Sequence, residues 1–254
     1  MYNFTFIGTA SAFYDMDDNF QSNLLIQSPN KKKLLIDCGG DARRALRKMD
    51  LDHTSIDGVF ITHLHSDHVG GLEWLAFKRF FSTPSTLPNL YCPKNLIVPL
   101  WENSLKGGLS SLEQKTSLST YFNVITCAEN TSFKWEGLTL TPILSYHAPN
   151  ENDMMPAYSL IIETPKNTIF YTSDSQFTPA YHQEIFKKSD IIFHDCETTS
   201  IKSGVHAHYD ELKTLPDDIK SKIRLFHYQH KIVKDPSIDG FHSFMDPCQE
   251  ILVE

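Results

Sequence analysis

"THLHSDHVGG", Thr62 to Gly71, decides how the chain is read. It places His63, His65, Asp67 and His68 directly behind the apolar run "GVFI". Titratable groups crowded at the end of a buried strand cost folding free energy unless something bound there compensates them. His63 and His65 are two apart, so in an extended segment they point the same way and grip one ion. Asp67 and His68 follow where the chain turns towards a helix opened by Gly70-Gly71, placed to face a second ion. Imidazole nitrogen with carboxylate oxygen suits zinc, manganese or iron better than calcium. A pH-sensitive surface patch is the competing reading, and so dense a set of ligand types argues against it.

Composition narrows the function classes. With 254 residues, 41% of them hydrophobic, the chain is long enough for one large core. Its 23 basic and 31 acidic residues leave a net charge of -8, which disfavours a broad basic face along an extended nucleic acid. The basic run Lys31 to Lys33, between Pro29-Asn30 and "LLID", reads as a solvated hairpin turn. No stretch has a signal-peptide pattern, and none reaches the roughly 18 apolar residues of a membrane span. The five cysteines form no C-x-x-C pair, as expected of reduced thiols in a cytoplasmic protein. A metal site must therefore use nitrogen and oxygen.

Short β-type runs recur along the chain, among them "YNFTFIG", "NLLIQ", "KLLIDCG", "FNVIT", "YSLIIET", "TIFYTSD", "DIIFHD" and "KIRLFHY". Helical spacing appears in "DARRALRKM", "GGLEWLAFKRFF" and "PAYHQEIFKK", and "HYDELKTLPDDIKSK" reads as a short helix broken at Pro216. Phe77 to Phe81 read as a helix's buried face, with Lys78 and Arg79 on its solvated side. Groups of strands followed by helices occur twice, without a linker or a sequence repeat. The expectation is one α/β domain over 1–254: two mixed sheets face to face with helices outside.

The H-x-H-x-D-H pattern resembles that of the metallo-β-lactamase superfamily, matched at every ligand position, and the resemblance continues along nearly the whole chain. "LLIDCG" looks like the family's first motif, "SYHAPN" supplies His147, "YTSDS" supplies Asp174 and "LFHYQ" supplies His227, in the family's order. The resemblance implies an αββα sandwich holding two divalent ions, zinc or manganese, with iron also compatible. It assigns His63, His65 and His147 to one ion and Asp67, His68 and His227 to the other. Asp174 would bridge them, and Asp37 would hold a ligand histidine by hydrogen bonding.

Two such ions, about 3.5–4 Å apart, hold a hydroxide and offset charge on a phosphoryl or acyl oxygen. The leaving group still needs a proton. In the tRNA 3′-processing branch an acidic residue at a strand end orients a second histidine. "IIFHDCE" and "SGVHAHYDEL" place Asp195 and His206 in those roles, although Val205 separates Gly204 from His206. His208 is the alternative histidine, and otherwise a substrate contact. "FIGTASAF" looks like the opening of the phosphodiesterase and RNA-processing branch. A Gly/Pro-rich basic arm for tRNA is missing, and Tyr228-Gln229-His230 follows His227 where the tRNA enzymes carry Ser-Pro-Arg or similar.

The whole chain is similar to the anti-Pycsar phosphodiesterases of phages and their bacterial relatives, which open cyclic nucleotides. The expected function is therefore di-metal hydrolysis of a small phosphodiester, a 3′,5′-cyclic mononucleotide first. A tRNA 3′-processing endoribonuclease or a 2′,3′- or 1,2-cyclic phosphodiesterase is the alternative. Thioesterase or lactonase chemistry and a non-catalytic scaffold rank lower. Phe13, Tyr14 and Tyr146 are the candidates for stacking on a base. The resemblance also implies a homodimer, and no membrane partner is expected.

Overall fold

Period-two alternation along the apolar runs builds the architecture. The computed structural model describes the chain except residues 15–17, 84, 152 and 232–234. In chain order the first strands are β1 (Tyr2–Gly8), β2 (Asn23–Gln27), β3 (Lys33–Ile36), β4 (Gly58–Phe60), β5 (Asn89–Pro93) and β6 (Asn123–Cys127). The next group is β7 (Phe133–Trp135), β8 (Leu138–Ser145), β9 (Ala157–Glu163), β10 (Thr168–Tyr171), β11 (Ile191–Asp195), β12 (Ile223–Phe226) and β13 (Ser243–Phe244). The last strand, β14 (Glu250–Val253), returns to the first group beside β1. The result is two seven-stranded sheets, ordered β14-β1-β2-β3-β4-β5-β6 and β13-β12-β11-β10-β9-β8-β7.

Each sheet has the same pairing pattern. From β14 and from β7, three antiparallel pairings are followed by three parallel ones. The chain carries no matching repeat in its sequence, so this likeness lives in topology alone.

Three apolar layers hold the sandwich. Leu34 and Ile36 of β3 point between the sheets with Phe4, Phe6, Phe60, Leu160, Tyr171, Phe193 and Phe226. Leu35, between them in sequence, faces the other way into a layer shared with helices α1 (Ala42–Lys48), α2 (Ser66–Val69) and α3 (Leu72–Phe80). Helices α4 (Lys94–Pro99), α5 (Lys106–Leu109) and α6 (Leu118–Tyr121) extend that layer. On the far side Phe170, Ile192, Ile223 and Leu225 meet α7 (Pro179–Lys188), α8 (Tyr209–Leu212) and α9 (Asp217–Lys220). The expected αββα order is present. No helix among the described residues is long and apolar enough to cross a membrane.

The sequence reading needs correction in three places. Strands β5, β7, β13 and β14 have no clear strand signal in the sequence, because they are short or broken by Pro and charged residues. Residues 94–109 and 118–121 are helical: Pro99 lacks the N–H that continues an α-ladder, and the next turn, Leu100–Leu105, widens to π geometry. Arg79 is buried rather than solvated. It donates to Thr86 O at 2.8 Å, to His53 O and Thr54 O at 3.1 Å, and to Thr86 Oγ1 at 2.8 Å. The Lys31–Lys33 run does close a hairpin, with Lys31 in left-handed backbone and Ser28 N donating to Lys32 O.

Arg79 thus ties the loop before β4 to the loop before β5. Replacing it with Met keeps the stem but strands those carbonyls. Urea denaturation of Arg79→Met is expected to show a loss of about 1–3 kcal/mol, the range for acceptors left without their donor. A loss below about 0.5 kcal/mol, typical of an exposed surface position, would contradict this account.

Candidate metal centre

The strands that carry the site end at one edge of the sandwich. Asp37 follows β3, the histidine cluster follows β4, His147 follows β8, Asp174 follows β10, Asp195 ends β11 and His227 follows β12. Three of these ends turn through left-handed backbone without glycine: Asp37 (φ 65°), Ser173 (φ 52°) and His227 (φ 61°). Such residues cost about 1–2 kcal/mol each. They persist where surrounding contacts over-determine them, as at functional sites. The turns aim Asp37, Asp174 and His227 across the edge instead of along it.

Two donor sets result. One atom each from His63, His65, His147 and Asp174 lies within 4.8 Å of the others, and the same holds for Asp67, His68, Asp174 and His227. The residues assigned to each ion by resemblance are the residues brought together, and Asp174 is common to both sets. His63 Nε2 and His147 Nε2 each lie 3.1 Å from His65 Nδ1. His63 Nδ1 donates to Thr62 Oγ1 at 3.0 Å and His147 Nδ1 to Val205 O at 2.8 Å, so their inward nitrogens carry lone pairs. Lone pairs aimed at one point repel unless a cation shares them.

Asp37 is fully buried and accepts from His68 Nδ1 at 2.7 Å, Thr62 Oγ1 at 2.7 Å and Thr62 N at 2.8 Å. It therefore fixes the His68 tautomer with Nε2 facing inward. That nitrogen and Asp174 Oδ1 are buried without a hydrogen-bond partner. Such atoms fit a cation, which needs donors not already spent.

Titration tendencies divide the same way. Burial, reinforced by neighbouring imidazoles, pushes His63 well below the usual histidine value. Burial likewise lowers His65 and His147, against the pull of nearby carboxylates. In the other set burial also disfavours the imidazolium of His227, yet Asp174 with Asp195 and Asp67 outweighs it and pushes the pKa up to about 10. His68 is raised for the same reason, by Asp174, Asp67 and Asp37. The carboxylates demand positive charge, which protons or divalent ions supply.

A third group joins Asp174, Asp195, His206 and His227 within 4.8 Å. Here one oxygen is taken up by hydrogen bonds: Asp195 Oδ2 accepts from His206 Nδ1 at 2.7 Å and from Ser175 N at 2.9 Å, while Asp195 Oδ1 lies 3.4 Å from His227 Nδ1. Burial opposes a charge on His206, but Asp195 outweighs it and raises the pKa. The His206 ring stacks on His227 at 4.8 Å and touches His147 at the same distance. The His206 ring is thereby held beside both donor sets.

The remaining sequence candidates lie elsewhere. His208 caps α8, with Nδ1 accepting from Asp210 N at 3.2 Å and Nε2 donating to Thr199 O at 2.9 Å, so it does not join the cluster. Phe13 is wholly exposed, in a loop held against Tyr228 by Ser11 N. Tyr14 and Tyr146 are partly exposed, and Tyr146 meets Tyr181 edge-on at 5.4 Å.

Some supporting groups escaped the sequence reading. Thr62 links Asp37 to His63. Gln176 Nε2 donates to His147 O at 2.6 Å. Thr172 Oγ1 accepts from Asp195 N at 2.9 Å and donates to Ser173 O at 2.8 Å, tying two acid-bearing strand ends together. Of these, only Thr62 carried a signal, its place beside the histidine cluster.

Comparison with known proteins agrees with this arrangement. The family described as Anti-Pycsar protein Apyc1 matches residues 2–251. The chain belongs to that family. An Anti-Pycsar protein Apyc1 of Paenibacillus xerothermodurans is 37% identical over 243 residues, covering 94% of this chain and 92% of the relative. Another, from Paenibacillus sp. (strain J14), is 39% identical over 230 residues and covers 87% of each. The crystal structure of the metallo-β-lactamase fold protein YhfI from Bacillus subtilis superposes with a TM-score of 0.75 at 18% identity over 98% of both chains. The fold is that of the metallo-β-lactamases.

Asp37→Asn exchanges an accepting oxygen for an amide that cannot serve both His68 and Thr62. Metal titration of the chelated variant is expected to show affinity weakened by about 10–100-fold, the usual cost of losing such a support. Unchanged affinity would mean that Asp37 does not orient His68.

Proposed function

We propose that this chain, a metal-dependent phosphodiester hydrolase, acts on a 3′,5′-cyclic mononucleotide. One observation carries the reading: two four-residue donor sets share Asp174, with the Asp195–His206 pair directly alongside. His63, His65 and His147 would hold one divalent ion, Asp67, His68 and His227 the other, with Asp174 between them. Zinc and manganese suit these donors, and iron is compatible. Bound ions supply Lewis acidity, which draws charge from a phosphoryl oxygen and acidifies water.

The protein's own residues do the rest. Asp37 and Thr62 hold His68 and His63 in one tautomer. Asp195 keeps a proton on His206, whose Nε2 passes it to the ester oxygen as its bond to phosphorus breaks. Ser175 N fixes Asp195 in turn. The net charge of -8 supports a small substrate, since no long basic groove is required. Phe13, Tyr14 and Tyr146 are exposed aromatic faces available to a base. The same reading takes the chain as one catalytic domain, cytoplasmic and homodimeric. A solution mass near the single-chain 29.1 kDa would contradict the dimer.

The metal-loaded protein is expected to open at least one member of a panel of cyclic purine and pyrimidine mononucleotides. Chelation should abolish this and added zinc or manganese restore it. Asp67→Asn should be inactive while its circular dichroism stays unchanged. If the panel is untouched but precursor tRNA is trimmed, the substrate assignment fails.

His206→Ala removes the proton donor. Its kcat on the cyclic nucleotide is expected to fall by about 10²–10⁴-fold, the range for general acid catalysis. Bis-p-nitrophenyl phosphate, whose leaving group needs no proton, should lose far less. Equal losses on both substrates would contradict the role.

A further inference from the structure

A strongly basic surface lies outside the donor sets. On this acidic chain, helix α1 exposes Arg43, Arg44 and Arg47 along little more than one turn. Like charges one turn apart weaken a helix unless something neutralises them. Lys48 is paired with Asp18 at 3.1 Å, whereas no carboxylate among the described residues lies within ion-pair distance of Arg43, Arg44, Arg47 or exposed Lys78. Two adjoining grooves, of about 490 and 520 Å³, share Arg43 and Trp74 as lining residues. Lys78 lines the first, while Arg44 and Arg47 line the second. Of the two acidic residues lining the grooves, Asp52 accepts from Thr54 N and Oγ1 at 2.8 and 2.6 Å, and the Glu73 carboxylate lies on the side of Gly108.

Guanidinium groups bind phosphate oxygens in pairs, and a half-buried indole offers a face to a planar base. From Arg43 to Arg47 the helix rises only about 6 Å. That matches two or three linked phosphates. A nucleic acid strand would run on past the patch, and the chain as a whole carries a net charge of -8. Each groove also has the volume of a small-molecule site. We propose that this groove is a second binding site, for a free nucleoside di- or triphosphate, in addition to the metal centre.

The test is calorimetric titration of the metal-loaded full chain with ATP, tripolyphosphate, adenosine and a single-stranded RNA decamer. The same titrations are made on an Arg43→Ala/Arg47→Ala variant, and bis-p-nitrophenyl phosphate hydrolysis is followed in both proteins. ATP is expected to bind saturably, more tightly than tripolyphosphate or adenosine. The double variant should weaken ATP binding by about tenfold or more, as loss of two charged hydrogen-bond donors implies. Hydrolysis by the variant should stay unchanged, which separates this site from the metal centre. The proposal is overturned if ATP shows no saturation by about 1 mM. It is equally overturned if the variant binds ATP as the parent does, if the RNA binds more tightly than ATP, or if hydrolysis falls in step with ATP binding.

Discussion

One carboxylate oxygen organises this molecule. Asp174 Oδ2 lies 3.8 Å from His63 Nε2 and His147 Nε2, 3.3 Å from His68 Nε2 and 3.4 Å from His227 Nε2. Asp67 adds a second buried carboxylate 3.1 Å from His68 Nε2. Buried charge of this density is stable only when matched by positive charge nearby. Protons on His68 and His227 provide one match, and divalent ions would provide another, leaving those nitrogens free to act as ligands. Metal binding would then be linked to proton release at the edge where the two sheets meet.

The sheets exist to bring that oxygen to its partners. Asp67 and His227 are 160 positions apart, yet their side chains come within 3.4 Å. Parallel strands β3 and β4 in one sheet and β10, β11 and β12 in the other deliver their carboxyl ends to the same edge. The aromatic packing of Phe6 on Phe193 and Phe226, both at 5.1 Å, fixes the distance between those edges. Core and site are mechanically one object.

Much of this was legible from residues 62 to 71, because histidine and aspartate at spacing two, two and one have few other physical explanations. The order of two sheets between helices followed from the grouping of strand-like and helical runs, whereas His147, Asp174 and His227 stood out only through the family resemblance and its order along the chain. What stayed hidden has physical causes. Left-handed turns at Asp37, Ser173 and His227 carry no glycine to announce them. Thr172 and Gln176 act through single hydrogen bonds between distant strands, which leave no spacing pattern. Arg79 looked like a solvated helix residue because its partners are backbone carbonyls. The choice between His206 and His208 needed coordinates, since both lie near Asp195 in the chain while only the His206 ring bonds Asp195 and meets His147 and His227.

Elemental analysis of extensively dialysed protein after reconstitution tests the shared-carboxylate claim most directly. The account expects two divalent ions per chain in the parent protein, one for each donor set. It also expects both to be lost or weakened together in Asp174→Ala. A single ion per chain, or an Asp174→Ala variant that keeps the parent's full metal content and affinity, would contradict it.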